Sequence, residues 1–399
     1  MVSDVYFPRI NGVSTSIQTF INELHQQGHS VTLIAPDYGD SSTDELDVIR
    51  VPSRSVIVDP EDRMMRMDWV MERIDLLARC EYDLVHIQTP FVAHYLGLKL
   101  ARMLGLPVVE TYHTYFEEYL YNYVPWLPKP LLRLAARHFS TSQCNSVDRV
   151  VVPSAPIEKA LRGYGVKTGI DVVPTGLDLR QFEAGNGRLF RDAHGIDRDR
   201  PMALYVGRMA HEKNITFLLR TMQRVFAAMP ELLFVMAGEG PAEKWARHWV
   251  EKRGLASNVM FVGNLDRAST LLDCYRAADL FVFASRTETQ GLVLLEAMAL
   301  GTPVVSTAVL GTKTVLSDGE GVLIAEEDEA DFSAKVIKLL REHGSRILLS
   351  DAAMGYVKQW SSAVMTQRLS AIYEALWCSN IEVETLSEPP LLETENEPG

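Results

Sequence analysis

Short apolar runs alternate with longer segments of helical periodicity along almost the whole chain, and the alternation forms two successive series. In the first series, strands are predicted at 2–6, 31–35, 48–51, 84–87, 108–111, 150–152 and 171–173. In the second, they are predicted at 203–206, 233–237, 259–262, 280–283 and 304–306. Helical patterns fall between them, as at 92–104, 215–228 and 242–253. Alternation of this kind is typical of parallel sheets covered by helices, so we predict two doubly wound α/β units.

The two series define the predicted domains. We assign residues 1–177 to an N-terminal domain and 178–360 to a C-terminal domain, with a helix at 361–378 returning to complete the first. The polar, glycine-containing stretch 174–200 is interpreted as the domain linker. From 379 to 399 the chain is rich in Glu and Pro and has no basic residue, a composition typical of a disordered acidic tail.

The stretch 284–305 carries the most informative chemistry. A strand runs into a polar turn, and Gly291 then opens a helix that is apolar almost all round. Glu296 lies inside this helix, where a carboxylate is costly unless it is paired. The first free backbone N–H groups of such a helix suit an anion such as phosphate, and Glu288 precedes them. Glu296 is therefore either a ligand-binding residue or a structural one paired with an Arg or Lys.

Other strand ends carry residues that suit the same kind of ligand, because ligands of parallel sheets bind at the carboxyl ends of the strands. Arg208 and Lys213 follow the 203–206 strand and form a candidate diphosphate clamp; solvated loop charges are the alternative. His113 ends a strand of the first series and can donate a hydrogen bond to a sugar hydroxyl or phosphate, unless it is structural. Gly12, in the first loop, by itself indicates only a tight turn.

Composition narrows the class of protein. The chain has 399 residues, of which 47% are hydrophobic, as in ordinary globular proteins. Its formal net charge of −13 argues against a nucleic-acid partner, since that backbone needs a basic surface. The four cysteines have no zinc spacing, the one Asp-x-Asp (197–199) lies in the predicted linker, and no metal site is predicted. Without a visible signal peptide or membrane-spanning run, we predict a cytoplasmic protein whose membrane contact is peripheral.

Taken together, these motifs resemble the retaining nucleotide-sugar glycosyltransferases of family 4. Members of this family have the GT-B fold, in which two Rossmann-like domains face each other across a cleft. The resemblance rests on Gly207-Arg208 with Lys213 and on Glu288 and Glu296, which are separated by seven residues after a strand. It extends to other parts of the chain, namely Asn11-Gly12-Val13, His113 and the hinge at 174–178.

The resemblance implies roles for the residues around the donor sugar. Glu296 is expected to hold the ribose hydroxyls, and Glu288 the hydroxyls of the sugar, which makes Glu288 the residue nearest the chemistry. His113 is expected near the C6 end of the sugar. Gly12 is expected in the loop that faces the diphosphate.

The same resemblance places Arg208 and Lys213 at the departing diphosphate, with the backbone at Gly291 and Leu292 as its cradle. Fixed cations and N–H groups aimed at a leaving group stabilise the transition state, which removes the need for a metal or another cofactor. No nucleophile–acid pair of the glycosidase kind is evident, so we expect same-face substitution with retention. The predicted donor is a nucleotide sugar, most simply UDP-glucose.

The segment 126–139 is the candidate acceptor and membrane region. Lys129, Arg133 and Arg137 recur every four residues on one side of a predicted helix, apolar residues including Leu131 and Leu134 are assigned to the other side, and Trp126 precedes it. This pattern suits an interfacial anchor on an anionic membrane, and an ordinary surface helix is the alternative.

The opening N-G-V-S-T-S and the H-T-Y-F-E-E-Y run are similar to bacterial enzymes that glucosylate diacylglycerol. A lipid acceptor at the inner face of the cytoplasmic membrane is therefore the first expectation. The alternatives are a glycosyltransferase of lipopolysaccharide or capsular polysaccharide assembly, a GT-B-like epimerase or hydrolase of the nucleotide sugar, and a non-catalytic nucleotide-binding module.

Overall fold

A computed structural model describes residues 1–39, 47–55, 63–113, 129–316 and 321–387, and the side chains at 129 and 380–387 are not described. Within these residues, each half of the chain builds a parallel sheet whose strands are joined mainly by helices. The prediction of two doubly wound α/β units is confirmed. None of the helices in the described ranges has the length and apolar content that a bilayer-spanning helix needs.

The first half supplies eight of the described strands and six of the described helices. The strands are β1 (Leu33–Pro36), β2 (Val48–Val51), β3 (Ser53–Ser55), β4 (Arg63–Met65), β5 (Val85–Ile87), β6 (Val108–Thr111), β7 (Arg149–Val152) and β8 (Gly169–Val172). The helices are α1 (Gly12–Gln26), α2 (Met67–Met71), α3 (Ile74–Ala78), α4 (Val92–Leu104), α5 (Lys129–Cys144) and α6 (Ala155–Tyr164). β1 pairs with β2, and β5 to β8 form a continuous parallel ladder; β3 and β4 form a separate antiparallel pair.

Val2 joins the two parallel parts of the first sheet. It bridges Ile34 of β1 on one side and Ile87 of β5 on the other. The predicted strand at 2–6 is therefore wrong beyond this residue. The chain leaves the sheet because the Asp4 carboxylate accepts hydrogen bonds from Phe91 N at 3.2 Å and Ala93 N at 3.0 Å, at the start of α4.

The second half supplies six more strands and the remaining described helices. The strands are β9 (Met202–Val206), β10 (Leu233–Ala237), β11 (Val259–Gly263), β12 (Leu280–Phe283), β13 (Val304–Ser306) and β14 (Val322–Ile324). The helices are α7 (Gly187–Ala193), α8 (Ile215–Ala228), α9 (Glu243–Lys252), α10 (Thr270–Ala277), α11 (Leu292–Ala299), α12 (Gly311–Leu316), α13 (Glu329–Arg341), α14 (His343–Tyr356) and α15 (Ser362–Ser387).

The six strands of the second half form one parallel sheet in the order β11-β10-β9-β12-β13-β14. Leu204 of β9 lies opposite Val235 of β10 and Phe281 of β12. β9, β10 and β12 are buried along their whole length, because they are continuous apolar runs covered on both faces. The order of the strands reverses between β9 and β12, which opens a crevice at their carboxyl ends.

The chain crosses between the two halves twice, and the two crossing segments lie side by side. Leu177 N donates to Trp360 O at 2.8 Å, and Ser362 N donates to Leu177 O at 2.8 Å. α15 then packs Met365 and Leu369 into a buried cluster with Phe20 of α1 and apolar residues of β6 and β7. The C-terminal helix therefore contributes core to the first half.

Two boundary predictions need correction. The segment 178–200, predicted to be linker, contains a 3-10 turn at Leu179–Glu183 and α7, whose Phe190 is buried in the core of the second half. Arg191 fixes this segment by donating to Ala277 O at 2.7 Å. The predicted tail begins too early, because α15 continues to Ser387; residues 388–399 lie outside the described ranges.

Candidate functional site

The crevice of the second sheet is lined by the loops that follow β9 and β12. The β9 loop contains Arg208 and Lys213, and the β12 loop contains Glu288 and leads into α11. Lys213 Nζ and Glu288 Oε1 form an ion pair with both side chains largely buried, so the two loops meet. The prediction that these residues come together at one end of the sheet agrees with this geometry.

Arg208 belongs to the same β9 loop as Lys213, and its side chain is exposed. Its carbonyl accepts a hydrogen bond from the Tyr205 hydroxyl at 3.1 Å, which fixes the backbone of the loop. Burial, with the nearby charges of Glu288 and Glu212, raises the pKa of Tyr205 well above its usual value, so this phenol stays a donor. The guanidinium makes no ion pair within the described residues and can turn toward an anion in the crevice.

α11 begins at the edge of the same crevice. Gly291 precedes it with φ of +93°, a left-handed conformation that favours glycine, and makes the sharp turn out of the β12 loop. The first residue of the helix is Leu292, and no side chain caps its free N–H groups. These groups provide a partial positive charge at the end of the turn that carries Glu288, the partner of Lys213.

Glu296 is only 1% exposed and has two protein partners. Its Oε1 is paired with the Arg267 guanidinium, and its Oε2 accepts a hydrogen bond from the Tyr275 hydroxyl at 3.0 Å. The charge of Glu296 raises the pKa of Arg267. The sequence alternative of a Glu paired with an Arg is thus realised, and the arginine belongs to the loop after β11.

Sequence reasoning did not identify Arg267. The loop after β11 offers one signal, since Arg267 follows a strand of the same sheet as Arg208 and the 284–291 turn. An exposed arginine on such a loop is otherwise indistinguishable from a solvated charge, so its contact with Glu296 becomes evident only in three dimensions.

The glycines of the β9 and β10 loops serve packing between loops. A methyl group on Gly238 would collide with the Gly207 carbonyl, and one on Gly240 with the Met209 carbonyl. The space in front of each glycine is filled by the neighbouring backbone, which holds the Arg208 loop in place.

The first half presents His113 at the end of β6. Its Nε2 lies 3.0 Å from Gln88 Oε1, and an amide oxygen can only accept, so in this arrangement Nε2 carries the proton. Burial lowers the pKa of His113 to about 4, which keeps the ring neutral near pH 7. Nδ1 is then left as a hydrogen-bond acceptor, whereas the sequence predicted a donor.

Gly12 is the first residue of α1, after Asn11, whose Oδ1 caps the helix by accepting from Ser14 N at 2.9 Å. Gly12 is exposed, and a methyl group built on it would meet nothing within 4 Å. Packing within the described residues therefore gives no reason for a glycine at this position.

Asp4 is a buried group that sequence reasoning missed. It lies at the carboxyl end of the Val2 bridge, where the order of the first sheet reverses, and Thr89 Oγ1 donates to its Oδ2 at 2.9 Å. Burial raises the pKa of Asp4 to about 7, opposed by the hydrogen bonds from Thr89 and from the backbone at the start of α4. Asp4 thereby fixes the segment next to Gln88, the partner of His113.

α5 differs from the predicted amphipathic division. Leu132 and Ala136 face the core, but Leu131 and Leu134 are 53% and 65% exposed, on the solvent side together with Arg133 and Arg137. The Arg137 guanidinium lies over the Tyr164 ring, 5.1 Å from its centroid. The exposed surface therefore combines basic and apolar side chains. Trp126 and the side chain of Lys129 lie outside the described part of the structure.

Metal-ligand chemistry has no candidate in the described ranges, where no group of three or more His, Cys, Asp or Glu side chains is placed to bind an ion. The crevice offers instead two cationic side chains, Arg208 and Lys213, and the free N–H groups of α11. Such an arrangement can bind a diphosphate, with Glu296 and Glu288 as acceptors for hydroxyl groups on either side of it.

Comparison with known sequences matches both halves of the chain. Residues 10–181 match the family described as Glycosyltransferase Family 4, and residues 188–354 match Glycosyl transferases group 1. An alpha-monoglucosyldiacylglycerol synthase of Streptococcus pneumoniae is 32% identical over 77% of this chain and 70% of its own length. The enzyme of the same name in Acholeplasma laidlawii is 27% identical (76% and 78%), and the sulfoquinovosyl transferase SQD2 of Arabidopsis thaliana is 27% identical (93% and 72%).

Solved structures share the architecture. Sucrose-phosphate synthase from Thermosynechococcus elongatus superposes with a TM-score of 0.74 at 21% identity, covering 92% of this chain and 94% of its own. Anabaena HepE in complex with UDP-glucose gives a TM-score of 0.73 at 15% identity, covering 94% and 99%. At these identities the likeness concerns the fold.

Proposed function

The chain belongs to the family 4 glycosyltransferases of GT-B fold, and on that premise we propose that it transfers glucose from UDP-glucose, with retention, to diacylglycerol or a closely similar membrane lipid. The meeting of Lys213 and Glu288 beside the free N–H groups of α11 carries the donor part of the proposal. This meeting brings a cation, a hydroxyl acceptor and an anion-binding backbone to one end of the sheet.

Each donor group has a partner of suitable chemistry in the crevice. The diphosphate lies against Arg208, Lys213 and the start of α11, where positive charge offsets its negative charge. The ribose hydroxyls reach Glu296, which exchanges part of its contact with Arg267 or Tyr275 for them. Glu288 accepts from the sugar hydroxyls.

The reaction breaks the bond between C1 of glucose and the β-phosphate oxygen and forms a bond between C1 and the acceptor hydroxyl oxygen on the same face. The proton of that hydroxyl passes to the leaving β-phosphate oxygen, and UDP is released. Arg208 and Lys213 stabilise the charge that develops on the leaving group, without a metal ion. Closure of the two halves excludes water and limits hydrolysis of the donor.

The lipid part of the proposal is supported by two observations. Two relatives are named as synthases of alpha-monoglucosyldiacylglycerol. α5 exposes Leu131 and Leu134 on the same side as Arg133 and Arg137, a combination that suits the interface of an anionic bilayer. The protein would then act as a peripheral enzyme at the cytoplasmic face of the membrane.

The proposal is tested with purified protein, UDP-[14C]glucose and vesicles of phosphatidylglycerol that contain diacylglycerol. We expect a radioactive glycolipid with an α-anomeric linkage, undiminished by EDTA. Turnover of UDP-glucose at the same rate without lipid would instead indicate an epimerase or hydrolase. Product with a soluble glycan acceptor alone would indicate polysaccharide assembly.

A second donor is favoured by one finding. The sulfoquinovosyl transferase SQD2 aligns over 93% of this chain, more than either diacylglycerol-related synthase does. UDP-sulfoquinovose is therefore the first alternative donor for the same assay. A higher kcat/KM with it than with UDP-glucose would replace glucose in the proposal and leave the lipid acceptor unchanged.

A further inference from the structure

The turn that carries Glu288 is held by the first half of the molecule at two points. Ser154, just before α6, donates a hydrogen bond from Oγ to Thr289 O at 2.7 Å. Gln290 pairs with the hinge residue Thr175, whose N donates to Gln290 Oε1 at 2.8 Å and whose O accepts from Gln290 Nε2 at 2.7 Å. The two residues that follow Glu288 are thus both tied to the opposite half.

These contacts are enclosed. Ser154, Thr175 and Gln290 are all buried, so water cannot replace a lost partner. The side-chain amide of Gln290 meets the N–H and the C=O of one residue, as a neighbouring strand would do. A side chain without an amide would leave both groups of Thr175 unpaired.

Thr175 also connects the turn to α1. Its hydroxyl lies 2.7 Å from Ser16 Oγ, on the helix that begins at Gly12. On the other side of the turn, Gly311 N donates to Glu288 O at 2.9 Å. A methyl group on Gly311 would collide with the Thr289 carbonyl, so the backbone of the turn is enclosed from both sides.

Two of the groups expected at the nucleotide are held outside the turn. Glu296 is held by Arg267 and Tyr275, which belong to the second half. The Arg208 loop is fixed through Tyr205. Gly291, by contrast, directly follows Gln290, and Lys213 is paired with Glu288. A disturbance at Gln290 therefore reaches the Glu288 turn and the start of α11 before it reaches Glu296.

We propose that Gln290 is a positioning residue: through the hinge residue Thr175, it aligns the Glu288 turn with the donor sugar. Ser154 supports the same turn from the acceptor half. Because both ties cross between the halves, the orientation of Glu288 depends on how the first half is seated against the second. The role of Glu288 at the sugar rests on the function proposed above, whereas the link between the turn and the hinge does not.

The test compares Gln290→Met, which keeps the length of the side chain and removes the amide, with Gln223→Met on the exposed surface of α8. We expect kcat with UDP-glucose to fall about tenfold to a hundredfold in Gln290→Met, as small misplacements of a reacting group do. We expect the Kd for UDP, measured by calorimetry, to rise by a smaller factor than kcat falls, because Glu296 and the Arg208 loop are held by contacts outside the turn. The Gln223→Met control should match the wild type in both.

A merely structural role would give a different result. If kcat and the UDP-binding stoichiometry of Gln290→Met fell in the same proportion, the folded fraction would turn over at the wild-type rate. The loss would then reflect unfolded protein, and the positioning role would be refuted. An unchanged kcat would refute it as well. If Gln290→Met does not fold, Ser154→Ala carries the test. There too we expect kcat to fall by a larger factor than the affinity for UDP, and an unchanged kcat would overturn the proposal.

Hydrogen exchange without any substrate separates this inference from the proposed function. Gln290→Met should speed amide exchange in peptides covering 285–291 and 174–177 together, and Gln223→Met should change neither. No change in either peptide would overturn the link between turn and hinge. A wild type without turnover of UDP-glucose would refute the proposed donor alone, since the exchange result does not depend on it.

Discussion

Replacement of Gly12 by Ala tests whether the first loop faces the donor. A methyl group at this position meets no atom within 4 Å, and Gly12 is the first residue of α1. Alanine is more favourable than glycine in helices by about 0.5–1 kcal/mol, so we expect the free energy of unfolding to stay the same or to rise by about 0.5 kcal/mol. A diphosphate lying against the loop would meet the methyl group, and such crowding costs about 1–3 kcal/mol.

The corresponding loss in kcat/KM is about 5-fold to 150-fold, since 1.4 kcal/mol is a factor of ten. Urea unfolding and steady-state kinetics on the same preparation measure both quantities. Gly163→Ala is the matched control, because Gly163 lies in α6 and also has open space around the added methyl group. A stable Gly12→Ala enzyme with the kcat/KM of the wild type would refute the idea that the donor approaches this loop.

Three further outcomes are expected. Glu296→Gln should raise the Kd for UDP about tenfold, because the ribose hydroxyls lose a charged acceptor; calorimetry showing an unchanged Kd would contradict the ribose role. The pKa of His113, about 4, lies below its unfolded value, so the stability it contributes is present above about pH 6.5 and is lost as the pH falls toward 4. In His113→Asn, the free energy of unfolding should therefore fall less steeply as the pH falls, by up to about 1 kcal/mol per pH unit. Replacement of the exposed His29 by Asn should not reduce this slope. Leu134→Ser should weaken binding to phosphatidylglycerol vesicles about tenfold, because an apolar side chain that inserts into the bilayer is lost. Leu348→Ser, at an exposed position of the second half, should not weaken this binding. Equal binding of both variants would exclude insertion of α5.

The strands of the second half are the part of the fold that the sequence predicts best. Those at 233–237 and 280–283 have the predicted bounds, because a strand buried on both faces is an uninterrupted apolar run between polar loops. α7 was missed for the opposite reason. Phe190 is its one large buried apolar side chain, so no helical period is visible, and a tertiary contact through Arg191 holds the segment in place.

In the candidate site, too, some features follow from the sequence and others depend on tertiary contacts. Lys213 and Glu288 could be placed together because strand ends of one parallel sheet meet at one edge. The partner of Glu296 could not, since nothing local distinguishes Arg267 from other loop arginines. The two sides of α5 were also predicted incorrectly, because Leu131 and Leu134 are apolar but lie on the exposed side with the basic residues. Which positions of a helix face the core depends on the neighbouring elements.

The ion pairs of the crevice suit the anionic donor proposed above, although the net charge of the chain is −13. The two carboxylates assigned to the donor are each paired with a cation, Glu288 with Lys213 and Glu296 with Arg267. These pairs hold the side chains ready in the absence of donor and prevent the carboxylates from repelling the diphosphate. Of the cations assigned to the donor, Arg208 makes no ion pair within the described residues, and its side chain is exposed. We therefore expect Arg208 to attract the donor first. Arg208→Gln should lower the association rate of UDP more than it raises the dissociation rate. Stopped-flow fluorescence at low and high salt resolves this difference.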